Sequence, residues 1–147
     1  MAWIPLVLVA MNLIYAAGAY PLGKLADRMD HRLLLAIGLV LLIAADCALA
    51  VHASGPGFWL GIALWGLHMA ATQGLLAAMV ADTAPADLRG TAYGFFNLVC
   101  GIAMLIASAL AGWLWDTWGA SFTFWSGAGL AAAALLLVGF QRRTQGA

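Results

Sequence analysis

The chain has 147 residues, of which 65% are hydrophobic and only 8% are charged, whereas a soluble globular domain carries about 25% charged residues. Six Lys and Arg residues and six Asp residues, with no Glu, cannot cover the surface of a soluble domain of this size. The net charge of zero also argues against a nucleic-acid partner, because phosphate binding requires a surplus of Lys and Arg. The composition therefore predicts an integral membrane protein.

Five apolar segments, separated by the few charged residues, follow one another along the chain. A helix needs about 20 apolar residues to cross the hydrocarbon core of a bilayer. Residues 54–57, Ser-Gly-Pro-Gly, break the long uncharged stretch in the middle, and Asp46 is the only charged residue inside a segment. The predicted spans are residues 2–20, 33–52, 58–80, 90–115 and 120–141. We therefore expect an all-α fold, a polytopic membrane helix bundle with five transmembrane helices in a single domain, residues 1–147.

The positive charges indicate an orientation, because all of them fall in segments that five crossings place on one side of the membrane. They are Lys24, Arg28, Arg32, Arg89, Arg142 and Arg143. Since cytoplasmic connections carry the excess of Lys and Arg, we expect a multi-pass protein of the cell inner (plasma) membrane with a cytoplasmic C-terminus. The odd number of spans then leaves the N-terminus outside. We therefore also expect a chain truncated upstream of Met1, with at least one further helix before it.

Three short patterns occur in the connections between the spans. Residues 23–32 read Gly-Lys-Leu-Ala-Asp-Arg-Met-Asp-His-Arg and resemble the G-x-L-A-D-R-x-G-R-R/K motif of the major facilitator superfamily. Residues 82–94 look like the P-x-x-x-R-G-T-A-x-G signature that enters the eleventh helix of that family, and residues 114–119 are similar to the outer turn before its twelfth. The resemblance covers essentially the whole chain. It implies helices eight to twelve, an incomplete C-terminal half of a twelve-helix secondary transporter.

The resemblance implies that two of these connections form a gate at the inward-facing end. In the family, the first connection holds that gate against the N-terminal half, which this chain lacks. The gate residues would be Gly23, Asp27, Arg28, Arg32, Asp82, Pro85, Arg89 and Gly90. The residues alone also fit a simpler interpretation, in which the basic side chains fix the topology and bind lipid head groups. Asp30 replaces the motif's usual Gly, and His31 replaces one of its basic residues.

Polar residues inside the predicted spans are candidates for solute or proton binding. Trp65, His68 and Thr72 lie on one face of the third span, and histidine is the side chain that ordinarily titrates around neutral pH. His68 fits either a solute and proton site or a structural role, in which it hydrogen-bonds a neighbouring helix. The resemblance favours the first, because this span is similar to the family's cavity-lining tenth helix. Gln73 is rotated away from this face, toward a neighbour.

Asn12, Tyr15 and Asp46 complete the candidates for solute or proton binding. Asn12 and Tyr15 lie three residues apart on one face of the first span, and they fit cavity or helix-interface contacts. Asp46 has no Lys or Arg on its side of the membrane. Its carboxyl group therefore reaches outward to water, is protonated, or pairs with a group outside this chain, and a proton-coupling role is one of the possibilities.

Small residues recur along the fourth span at steps of seven, seven and four. They are Gly94, Gly101, Ser108 and Gly112. This spacing places them on one stripe, where two helix backbones can approach closely. We therefore expect the fourth span to pack through this stripe, by default within the bundle. Asn97 lies near the stripe and fits a packing role better than a solute contact.

The sequence has no HExxH, GxSxG or Walker motif, so we expect no enzyme, no metal site and no cofactor. The resemblance implies a fragment of a secondary transporter that moves a small solute by alternating access, with proton-coupled efflux as the expected mode. Its partners would be a small-molecule substrate, membrane lipid and the missing N-terminal half. The alternative is a self-contained small membrane protein that acts as a binding or scaffolding module, or as a homodimer.

Overall fold

The computed structural model describes residues 4–52 and 54–144, and it is helical through most of that range. The helices are α1 Ile4–Ala26, α2 His31–Val51, α3 Gly55–Thr83 and α4 Arg89–Thr144. All four are long and apolar enough to cross a membrane. The prediction of an all-α membrane helix bundle is confirmed. The predicted count of five helices is wrong, because the described residues form four.

The predicted fourth and fifth spans run together in one element, α4, whose two helical segments meet at a bend. Its 56 residues are helical except at Gly119, whose backbone has φ 86° and ψ 174°. Glycine adopts this conformation without the clash that a Cβ would bring. One residue therefore bends the chain, and a turn of several residues is not required. The ring centroids of Trp115 and Phe124 are 6.2 Å apart across the bend, whereas nine residues of straight helix would separate them by about 13 Å. We call residues 89–118 the first segment of α4 and residues 120–144 its second segment.

The other helix ends follow from local sequence. Asp30 caps α2, because its Oδ1 accepts a hydrogen bond of 2.8 Å from the backbone N–H of Arg32. Pro56 lies in the first turn of α3, where the N–H that proline lacks would have no partner in the helix. The end of α3 at Thr83 precedes Pro85, which disfavours helical backbone in the residue before it. These signals place the helix ends within a few residues of the predicted spans.

The centre of the bundle is the contact between α2 and α3, which run antiparallel. A Cβ at Gly61 of α3 would lie 2.7 Å from Cγ of Leu49, and a Cβ at Gly38 of α2 would collide with the methyl group of Thr72. Glycine at these two positions therefore lets the two backbones approach closely, as in other membrane helix pairs. α1 packs along α3, where Gly66 faces the backbone carbonyl of Met11.

The second segment of α4 packs on α2 and runs antiparallel to it. Ser121 Oγ donates a hydrogen bond of 2.6 Å to the backbone carbonyl of Ala50, and Gly127 faces Asp46, one turn further back along α2. Ala128 on this segment is buried. The C-terminal end of α4 therefore returns toward the end of the bundle at which α2 begins.

The connections gather at two ends of the bundle. The α1–α2 and α3–α4 connections meet at one end, where His31 Nδ1 lies 3.5 Å from Asp82 Oδ2. The other end holds His52, whose ring lies against Gly57, and the bend at Gly119. We call the first end the basic end, because the bases at the starts and ends of the helices collect there. They include Lys24, Arg28, Arg32 and Arg89.

Candidate functional site

His68 joins the two central helices. Its Nδ1 lies 2.7 Å from the backbone carbonyl oxygen of Gly38 on α2. A carbonyl only accepts, so Nδ1 is the ring nitrogen that donates, and in the neutral ring Nε2 keeps its lone pair. This hydrogen bond is the one that the structural interpretation of His68 requires. Any solute or proton role of His68 then belongs to Nε2, and that role stays a prediction.

The other residues on the predicted face of α3 also contact neighbouring helices. Thr72 is buried, its Oγ1 donates 2.9 Å to the backbone carbonyl of His68, and its methyl group fills the space beside Gly38. Trp65 packs edge-on against Phe124 of α4, with ring centroids 6.1 Å apart. This face of α3 is therefore occupied by α2 and α4 within the chain.

Tyr15 lies in a small cavity of about 220 Å³ between α1 and α3. Gly23 and Asp27, two of the predicted gate residues, line the same cavity nearer the basic end. Asn12 lies apart from it: this side chain is exposed, and its Nδ2 donates 2.8 Å to the backbone carbonyl of Leu8. Tyr15 therefore shares a cavity with two gate residues, whereas Asn12 and His68 do not line it.

Two further amides are exposed on the membrane-spanning helices, Gln73 on α3 and Asn97 on α4. The sequence pattern assigns Gln73 to a contact with a neighbouring helix, but no helix of the described chain covers it. An amide at membrane depth is costly where only lipid meets it. Gln73 is therefore a candidate that the pattern missed, and its exposure is the signal that reveals it.

At the basic end, His31 Nδ1 lies 3.5 Å from Asp82 Oδ2, a contact that becomes an ion pair only when the ring is protonated. It joins the start of α2 to the end of α3, beside a polar cleft of about 370 Å³. Arg28 and Arg32, which the resemblance assigns to the gate, form no ion pair with a described residue. Histidine at a basic position of the motif is the signal that could have indicated this pair.

The second gate connection is short. Pro85 starts a turn in which the backbone N–H of Leu88 donates 3.0 Å to its carbonyl oxygen, and Arg89 begins α4 directly afterwards. Arg89 and Gly90 are exposed, and a Cβ at Gly90 would meet no atom within 4 Å. The connection thus presents Arg89 at the surface of the basic end.

The predicted packing stripe on the first segment of α4 has no neighbour among residues 4–52 and 54–144. A Cβ at Gly94, Gly101 or Gly112 would meet no atom within 4 Å, and Ser108 is exposed. The segment is held to α3 near its start, where Tyr93 Oη donates 2.9 Å to the backbone carbonyl of Ala77. Packing through the stripe stays a prediction, and no described residue of this chain supplies the partner.

Asp46 lies between α2 and the second segment of α4, and 5% of the residue is exposed. Its carboxyl oxygens are not fully enclosed, because no fully buried side-chain oxygen of the described residues lacks a hydrogen-bond partner. Outward reach, protonation and pairing all stay predictions. Gly127 provides the space, because a Cβ there would lie 2.7 Å from Asp46 Oδ2. The sequence did not single out Gly127, which lies among many small residues of the last predicted span.

Comparison with known proteins identifies the family. The sequence model of the Major Facilitator Superfamily matches residues 2–146, nearly the whole chain. The chain belongs to the Major Facilitator Superfamily. The resemblance carried by the three connection motifs is thereby confirmed. Membership indicates a multi-pass protein of a transporter family and points away from an enzyme.

Two relatives belong to the same superfamily. An uncharacterized MFS-type transporter of Methanocaldococcus jannaschii is 34% identical over 138 residues, which cover 93% of this chain and 34% of the relative. An uncharacterized MFS-type transporter of Bacillus subtilis is 30% identical over 120 residues, which cover 80% of this chain and 27% of the relative. No solved structure matches the chain at a significant level. The chain therefore spans about a third of the length of the curated relatives that it matches.

Proposed function

We propose that this chain is part of a secondary transporter that moves a small solute by alternating access, with proton-coupled efflux as the mode. The observation that carries the proposal is the superfamily match along residues 2–146. The chain spans about a third of its relatives, and a solute pathway needs helices on both sides. We therefore propose that the missing N-terminal half lies on another segment of polypeptide.

Exposed amides on α1, α3 and α4 support a solute pathway. Gln73 and Asn97 expose amides that lipid alone would leave without partners, and the exposed Asn12 also donates from Nδ2 to the carbonyl of Leu8. Tyr15 opens onto the cavity between α1 and α3. We assign the contacts with solute to these residues, with His68 Nε2 as a further contact behind them. Thr72 and Trp65 then support the site by packing rather than by touching the solute.

The arginines of the basic end support the gate. Arg28, Arg32 and Arg89 lie at that end and have no carboxylate partner within 4 Å among the described residues. In the proposed transporter they meet acidic groups or helix C-termini of the missing half when the inward gate is closed. Asp27, Asp82, Pro85, Gly23 and Gly90 shape the two connections that carry these arginines.

A second candidate function is a self-contained membrane protein that binds or scaffolds, or that acts as a homodimer. The uncovered stripe on the first segment of α4 favours it, because a second copy of the chain would bury the same small residues. The two candidates differ in a simple observation. A reading frame that continues upstream of Met1 with about seven further spans favours the transporter, whereas a separate start and a stop codon there favour the small protein.

Transport is tested in inside-out vesicles with ethidium as the drug-like probe. We expect an imposed proton gradient to drive ethidium movement when the chain is produced together with the upstream polypeptide, and no movement with the chain alone. Collapse of the gradient with nigericin is the control for coupling. Transport by the chain alone would instead favour a homodimer, and absence of transport in both cases would remove ethidium-type efflux.

Orientation is tested by labelling single cysteines from each side of the membrane. We propose that the basic end and the C-terminus lie in the cytoplasm, because that end carries Lys24, Arg28, Arg32 and Arg89. With Cys47 and Cys100 replaced, an impermeant maleimide should label Ser54→Cys in intact cells and Asp87→Cys only after lysis. The reverse pattern would overturn the orientation.

A further inference from the structure

The strongest feature that the proposed transport cycle does not use is Asp46. Asp46 is the sixteenth of the 21 residues of α2, and 5% of the residue is exposed. On α2, the neighbouring Ala45 and Leu49 face α3 at Gly61, whereas Asp46 faces α4 at Gly127. Asp46 therefore lies in the contact between α2 and α4, away from the contact between α2 and α3.

The contact around Asp46 is closely fitted. Oδ2 of Asp46 would lie 2.7 Å from a Cβ at Gly127, so any side chain larger than hydrogen there must displace the carboxyl group. One turn further along α2, the backbone carbonyl of Ala50 accepts a hydrogen bond from Ser121 Oγ. Ala128, which follows Gly127 on α4, is 6% exposed. The position is a fitted place for a carboxyl group rather than a gap between loosely packed helices.

No charge compensates Asp46 among the residues packed against it. The second segment of α4 carries no titratable side chain in residues 120–140. On α3, the titratable group within the span is His68, which is bonded to Gly38, eight residues or about 12 Å along α2 from Asp46. Along α2, Arg32 lies 14 residues or about 21 Å from Asp46, and the cap residue His52 lies six residues or about 9 Å from it, with its ring against Gly57 of α3.

The groups around Asp46 favour a proton over a metal ion as its ligand. No N–H or O–H of a described residue donates a hydrogen bond to the Asp46 carboxyl group, which an ionised carboxylate at this depth would require. Among the described residues, no three His, Cys, Asp or Glu side chains lie together to hold a metal ion. A proton needs only the carboxyl group, and the resulting O–H can donate to a helix carbonyl, which has a second lone pair to accept it.

We propose that Asp46 is a proton-binding site within the contact between α2 and the second segment of α4, where Gly127 provides the room for a neutral carboxylic acid. The site stands apart from the solute-facing amides and does not depend on the proposed transport. It gives the membrane region of this chain a group that binds and releases a proton where two helices meet.

Infrared spectroscopy of the purified chain in phosphatidylcholine vesicles tests this directly, because the chain has six Asp and no Glu. The other five lie near helix ends or, for Asp116, beside the bend at Gly119. We expect the C=O band of a protonated carboxylic acid at neutral pH, with an amplitude of about one group per chain. The band should be lost in Asp46→Asn and kept in Asp116→Asn. A wild-type spectrum without the band, or an undiminished band in Asp46→Asn, overturns the proposal.

A second pair of variants tests the location and remains informative if Asp46→Asn fails to fold. Gly127→Ala should shift or abolish the band, because the new methyl group displaces the carboxyl group. Gly129→Ala is the matched control, since a Cβ at Gly129 meets no atom within 4 Å, and its spectrum should equal that of the wild type. Equal spectra for Gly127→Ala and the wild type would overturn the assignment to this contact.

Discussion

The two segments of α4 have similar composition, yet they are buried very differently. The second segment lies on α2, bonded through Ser121 and fitted around Asp46 at Gly127. The first segment touches α3 near Tyr93, and every residue from 101 to 113 is exposed. Both segments are rich in Gly, Ala and Ser, so small residues alone do not decide which face is covered. The difference shows that a stripe of small residues indicates the ability to pack but does not identify the partner.

The largest expected effect on stability comes from replacing one glycine with leucine, compared between the two segments. Gly127→Leu should destabilise the chain by about 3 kcal/mol, because the side chain must displace Asp46 and separate α4 from α2. Gly101→Leu should leave stability unchanged or raise it by up to about 1 kcal/mol, because the site is open and leucine favours helix over glycine. Unfolding in mixed dodecyl maltoside and SDS micelles measures both.

Equal destabilisation by the two leucines would contradict the difference in burial between the segments, because it would mean that another surface packs against the first segment. That outcome would favour a homodimer. Repeating the measurement over a range of protein concentrations would then separate a dimer, whose stability depends on concentration, from a refolded monomer.

The bend that separates the segments gives the next effect. Gly119→Ala should cost about 2 kcal/mol, because the backbone there has φ 86° and ψ 174°, a conformation nearly restricted to glycine. Gly112→Ala is the matched control on regular helix, where a methyl group meets no atom within 4 Å and should be neutral or slightly stabilising. Loss of proximity between spin labels at positions 115 and 124 in Gly119→Ala would show that the fold-back depends on this residue.

Sequence alone predicts the parts of this molecule that depend on local chemistry. Charge spacing predicts the apolar helices, and the motif at residues 23–32 indicates the family. The helix count was wrong because residues 114–119 carry the composition of a turn, whereas one glycine suffices to bend the chain. Whether a bend forms through one residue or several depends on how the two segments pack, which spacing does not record.

The candidate site was predicted less completely, since its residues depend on partners from distant parts of the chain. Residues 65, 68 and 72 do share one face, as the helical period requires, but that face meets α2 and α4. Helical period gives the relative direction of side chains and leaves open what lies opposite. Gly38 and Gly127 leave room for Thr72 and Asp46 of the neighbouring helices. The sequence does not show this role, because it does not show which helix lies opposite.

One serine on each segment allows the two segments to be compared through the loss of a single hydrogen bond. Ser121→Ala should cost about 0.6 kcal/mol, because it removes the bond from Oγ to the carbonyl of Ala50, and interhelical bonds in membranes have about this value. Ser108→Ala should change the unfolding free energy by less than that, because Ser108 is exposed. Similar losses in both variants would contradict the assignment of Ser121 as a specific contact.

The smallest expected effect concerns the one hydrogen bond that ties the first segment to α3. Tyr93→Phe removes the donor to the carbonyl of Ala77 and keeps the ring, so the cost should be about 0.5 kcal/mol or less in global stability. The effect should be local, because the rest of the first segment is exposed and depends on this contact near its start. We expect faster amide hydrogen exchange in residues 89–100 of Tyr93→Phe and unchanged exchange in residues 120–132, which pack on α2. Faster exchange in both ranges would mean that the two segments unfold as one unit, and that Gly119 transmits stability rather than separating it.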